Sequence, residues 1–161
     1  MTILQIILIV IIVPITILNI RFITSGRRVK SDAKAKYSRM LYILSENEEA
    51  LGGEGNYTAA KYVNDAGDNF LVCRSKVKNY GAIVTEKEFF PLSPLTSSSC
   101  TIDEYKKGDK WEKIICCVSS PSLHSPLEIE IAANPHGKRM GAILLDTAVD
   151  FRDEINTGCN K

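Results

Sequence analysis

His124, His136 and the adjacent thiols Cys116 and Cys117 are the residues in this chain best suited to metal or redox chemistry. Their spacing follows no zinc-ligand template, and neighbouring residues of a strand point to opposite faces, so the thiol pair would chelate poorly. A redox thiol needs nearby positive charge or a helix N-terminus to lower its pKa, and in sequence only Lys113 lies close. Serines are abundant, yet no G-x-S-x-G elbow accompanies either histidine. Glu128 and Glu130 alternate with apolar residues, which places both on one outward strand face, as solvation requires. These residues argue against catalysis, and no metal or cofactor is expected. A binding surface remains: Phe89, Phe90, Tyr105 and Trp111 border a loop-rich stretch where aromatic rings can wall a pocket. Phe89, Tyr105 and Trp111, with Cys117, are therefore the ligand-binding candidates.

The elements that must position them follow an apolar N-terminal stretch. From Ile3 to Ile20 only Gln5, Pro14, Thr16 and Asn19 interrupt the hydrocarbon series. A helix needs roughly 20 such residues to cross a bilayer, and no basic n-region or small-residue cleavage site suggests a removed signal peptide. An uncleaved anchor over residues 1–24 is expected, with Pro14 kinking it. Arg21, Arg27, Arg28 and Lys30 follow at once, where they would hold the chain's remainder on the cytoplasmic side and meet lipid headgroups. Cysteines 73, 100, 116, 117 and 159 would then stay mostly reduced. With a net charge of +1 the chain offers no basic face for nucleic acid.

Ala33, Tyr37, Met40, Leu41 and Leu44 recur at helical spacing, so residues 25–52 read as an amphipathic connecting helix ended by Gly52-Gly53. Residues 53–161 then form one domain. Thr58–Asn64 and Asn69–Ser75 flank the turn sequence Asp65-Ala66-Gly67-Asp68 as a hairpin, although Thr58–Asn64 also suits a short helix. Gly81–Phe89 holds a β-rich run. Residues 91–110 read as loop, with a short helix near Asp103–Lys107. Lys113–Ser119 suits a buried strand, Ser119–Pro126 a second loop, and Leu127–Ile131 a half-buried strand. Asn134–Gly137 is a turn, Lys138–Asp146 a returning strand, and Asp150 a cap for a closing helix. The fold class expected is α+β: an N-terminal transmembrane helix, then one antiparallel sheet of about five strands flanked by helices.

That order resembles the GAF family of ligand-sensing domains across residues 31–157. In its last-strand pattern a Gly precedes an apolar run ending in Leu-Asp, then a Phe and acids open the final helix. Gly141, Ala142, Ile143, Leu144, Leu145, Asp146, Phe151, Asp153 and Glu154 stand in those places. The resemblance implies a non-enzymatic sensory or interaction module that binds a small ligand or protein partner over one sheet face. A second resemblance is to type IV pilins and pseudopilins, carried by Met1-Thr2-Ile3-Leu4-Gln5 and the apolar helix after it. It implies an exported filament subunit with an antiparallel sheet after the helix and a C-terminal disulfide that could use Cys159. Gln5 departs from the Glu usual at that family's fifth position. An accessory subunit of a membrane complex fits the same organisation, and self-association through the N-terminal helices is a further expectation.

Overall fold

A computed structural model describes residues 32–157 of the chain. The chain divides into two compact units, Met1–Ala35 and Lys36–Lys161, and the second carries the fold described below. The expected anchor over 1–24, together with Arg21, Arg27, Arg28, Lys30 and Cys159, lies outside the described residues. Among those described, no helix is long and apolar enough to cross a membrane.

Helix α1 (residues 32–46) leads through Asn47 into the single turn of α2 (Glu48–Leu51). Gly52 closes α2 in the left-handed region at φ 107°, and the Gly53 N–H reaches back to the Glu48 carbonyl at 2.9 Å. A Cβ at Gly52 would also lie 2.5 Å from Val77 Cγ2, so both conformation and space demand glycine here.

Strands β1 (Tyr57–Val63), β2 (Asn69–Ser75), β3 (Gly81–Val84) and β4 (Phe89–Leu92) follow as an antiparallel sheet in chain order. A second antiparallel sheet holds β5 (Ser99–Lys107), β6 (Lys110–Ser119) and β7 (Leu127–Ala132), and α3 (Lys138–Asn156) closes the fold. The α+β class therefore stands, with seven strands in two sheets among the described residues where one sheet of about five was expected.

The four-stranded sheet is covered on both faces. Leu71, Cys73, Ala82 and Val84 meet Met40, Leu44 and Leu51 of α1 and α2. Phe70, Val72, Ile83 and Leu92 turn the other way, into a core shared with Ile114, Cys116 and Val118 of β6 and Leu144, Ala148, Phe151 and Ile155 of α3. This explains why β2 and β3 read as nearly unbroken apolar runs and do not alternate, as strands do when both faces are dry. Each large side chain so buried contributes about 1.5–3 kcal/mol.

Helix α3 corrects the expected strand at Lys138–Asp146, and Asp150 lies inside it and not at a cap. Its buried positions, Leu144, Ala148, Phe151 and Ile155, fall at helical spacing only when followed past Asp146. Basic residues open the helix and Asp153 and Glu154 end it, the reverse of what the macrodipole favours. Tertiary contacts offset this. Arg74 of β2 binds the Glu154 carbonyl and lies 3.9 Å from its carboxylate, and the Asn156 side chain exchanges bonds of 2.8 and 3.1 Å with the Cys100 backbone. Residues 99–107, expected as loop and short helix, extend the β5–β6 ribbon. There only Cys100 is buried, so no apolar pattern announced a strand.

Trp111 lies against Gly141, where an added Cβ would overlap the indole. Gly141→Ala should cost about 1–3 kcal/mol by overpacking. Urea denaturation followed by circular dichroism should show the loss, and Trp111→Leu in the same chain should recover part of it.

Candidate functional site

Two polar seams join the sheets, and a groove lies between them. The first centres on Asp65 in the β1–β2 turn. Its carboxylate, only 4% exposed, accepts from the Ala133 N–H (3.1 Å), the Asn134 N–H (3.0 Å), the Asn134 side-chain amide (3.1 Å) and His136 Nε2 (2.8 Å). The Asp65 N–H donates to Ile131 at 3.1 Å, and the His136 backbone exchanges bonds of 2.8 and 3.1 Å with Trp111. Burial pushes the Asp65 carboxyl up, but these donors, His136 foremost, hold it below the usual range.

The second seam is made of serines. The Ser122 hydroxyl donates to the Pro91 carbonyl at 2.6 Å, and the Ser93 N–H reaches Ser122 and Ser120 at 3.0 and 3.2 Å. Ser98, buried, donates to Ser120 at 2.9 Å. The connection after β4 is thereby tied to the β6–β7 loop.

Between the seams the edge strands β4 and β7 flank two open hollows of about 250 and 380 Å³. Both are lined by Glu88, Phe90 and Leu127, so they form one groove. Phe70 and Ile129 lie on the floor of one hollow, and Pro91, Leu123 and Pro126 wall the other. The rim of the first carries Asp68, Glu86, Lys87, Glu88 and Glu128. Lys36 sits 2.7 Å from Asp68 and 3.8 Å from Glu86, and its hydrogen bond holds the Asp68 carboxyl below its usual range.

No family model, curated protein or solved structure matches the chain.

The four sequence candidates do not converge on this groove. Phe89 lines it, at the start of β4. Tyr105 is exposed on the β5–β6 ribbon. Trp111 packs into the core, with Nε1 3.2 Å from Glu104 and the Lys106 ammonium 4.5 Å from its ring centre. Cys117 is half-buried on β6, its Sγ 3.3 Å from Asp103. Sequence reasoning missed Leu123, Pro126 and Leu127, because nothing local brings residues 122–129 beside 88–91. The signal available was Pro91: a strand proline lacks a ladder donor, which marks β4 as an edge.

Cys73, Cys116 and Cys117 are poorly suited to redox sensing. Burial pushes Cys73 up to about 12, and burial with the Asp103 carboxylate pushes Cys117 up to about 11. Contact with Cys100, then burial, raises Cys116 as well. All three stay protonated and weakly nucleophilic at neutral pH. His136 is engaged by Asp65, and His124 stands in the exposed loop wall of the groove. Among the described residues no cluster of His, Cys, Asp and Glu could hold a metal ion.

Because the folded-state pKa of Asp65 lies below its unfolded value, its stabilisation is complete above the ordinary carboxylate range and disappears as pH falls through the folded value. Asp65→Ala should cost about 2–4 kcal/mol at pH 7. Urea denaturation across the acid range should also show a shallower pH dependence for Asp65→Asn than for the parent chain.

Proposed function

We propose that this chain is a membrane-anchored module that works by binding and not by catalysis. It holds its folded unit on the cytoplasmic side and offers the β4–β7 groove to a small ligand or a protein partner. The observation that carries the proposal is the groove: an apolar floor between two strand edges, open along its length and rimmed by charge. Pockets with an apolar lining and a few polar groups are the usual form of a binding site. The anchor is supported by the uncharged run from Ile3 to Ile20, and the orientation by Arg21, Arg27, Arg28 and Lys30 after it. The same cations would meet anionic lipid headgroups. Self-association is supported by Leu41 and Tyr42, which are 42% and 63% exposed on the outer side of α1.

A second reading, an exported filament subunit similar to pilins, is favoured by one specific observation. Helix α1 lies on a four-stranded antiparallel meander that follows it in the chain after the single turn of α2, and a sheet after the helix is the order that resemblance implies. The two readings place the folded unit on opposite sides of the membrane.

Native thiols are poor reporters of sidedness because most are buried, so a cysteine in the exposed β5–β6 turn serves better. With Asp109→Cys, a membrane-impermeant maleimide should label the membrane-bound protein only after lysis. Labelling of intact cells would overturn the cytoplasmic placement and favour the filament subunit. Recovery in the soluble fraction would overturn the anchor itself.

A further inference from the structure

We infer that the β4–β7 groove takes an extended cationic stretch of polypeptide, which adds as a strand along the free edge of β4. The inference rests on the binding function proposed above and names the partner class. Among the described residues strand β4 pairs only with β3, and β7 only with β6, so both flanks of the groove are sheet edges. The outward direction of β4 can be read from its bonds. The Thr85 N–H donates to the Glu88 carbonyl at 2.9 Å, so this pair closes the β3–β4 hairpin. Bonded and non-bonded pairs alternate along an antiparallel ladder, so the next pair, Val84 and Phe89, turns its backbone groups away from the partner strand.

Two residues on, the Pro91 carbonyl turns outward in the same way and is taken by Ser122, and the Ser93 N–H follows. The serine seam thus already satisfies the distal part of this edge. The N–H and carbonyl of Phe89 face the open part of the groove, positioned for an incoming strand. Peptides that dock by strand addition draw affinity from such main-chain bonds and specificity from pockets that accept alternate side chains.

A strand on β4 would turn every second side chain down toward Phe90, Leu127 and Ile129. Glu88, two residues before Phe90 and so on the same side of the strand, borders that floor on the β4 flank, and Glu128 borders it on the β7 flank. Asp68 and Glu86 are balanced by Lys36 and Lys87, so Glu88 and Glu128 carry the net negative charge of the rim. A segment carrying both apolar and basic residues complements this surface, whereas an acidic one is repelled.

The test uses the full chain in dodecyl maltoside micelles, with empty micelles as control, and fluorescently labelled eight-residue peptides read by anisotropy. The probes are a Val-Lys alternating peptide, its Val-Glu counterpart, and the Val-Lys peptide N-methylated at alternate residues. The Val-Lys peptide should bind at least about tenfold tighter than Val-Glu, and N-methylation should abolish binding. The pair Glu88→Lys and Glu128→Lys, both exposed and outside the core, should reverse the charge preference. Equal affinity for the two charge forms would overturn the inference, as would tolerance of N-methylation or indifference to the charge reversal. Self-association that the Val-Lys peptide fails to displace, but that the charge reversal abolishes, would assign the groove to a second copy and equally overturn it. Sidedness at Asp109→Cys does not depend on the groove. Anchoring with no peptide binding would sink this inference alone, and peptide binding without anchoring would sink the anchored reading alone.

Discussion

The four-stranded sheet has two apolar faces, and everything else in the fold exists to cover them. Residues 70–73 send Phe70 and Val72 one way and Leu71 and Cys73 the other, and all four are buried. An antiparallel sheet can leave one face to water, but this one cannot, because exposing either would forfeit several side chains' worth of burial. Helices α1 and α2 cover one face. The other is covered by α3 and the three-stranded sheet together. The reversed charge ordering of α3 follows naturally: a helix held by Phe151 and Ile155 against two sheets needs little help from its dipole.

Apolar packing does not fix how two sheets meet along their edges, and here polar groups do. Asp65 gathers the N–H groups of residues 133 and 134 and the His136 ring, and the serines tie the end of β4 to the β6–β7 loop. Such directional bonds specify a single arrangement where hydrophobic contact alone would tolerate several. Between the seams the β4 and β7 edges are left facing a groove. Exposed edges are templates for other chains, and proteins commonly guard them with charge or proline. Pro91 and the acidic rim are guards of this kind, and on the inference drawn above they would leave the edge open to a basic partner.

Much of this was legible in the sequence, for local reasons. The helix carrying Tyr37, Met40 and Leu44, the hairpin around Asp65–Asp68 and the alternating strand β7 each announce themselves within a few residues. Leu41, grouped with that helical stripe, instead faces outward, and Ile43 packs inward. The run after Gly137 misled because MGAILL suits a strand or a buried helix equally, and the deciding residues, Ala148, Phe151 and Ile155, lie further on. Asp65 was legible as a turn former, but its four donors come from the far end of the domain. The groove was least legible, since one aromatic candidate lines it and its other wall comes from a loop without periodic pattern.

The function proposed above would have a membrane-tethered unit with a guarded edge bring a partner segment to a fixed plane and order it there. Its central claim is that the β4 edge is the element that receives the partner. Hydrogen exchange of the full chain in micelles, with and without the Val-Lys peptide, tests this residue by residue. The expected result is new protection confined to residues 88–91 and 127–129, with the Phe89 amide slowed most. Unchanged exchange at Phe89, with protection appearing instead on α3 or the outer face of α1, would contradict it.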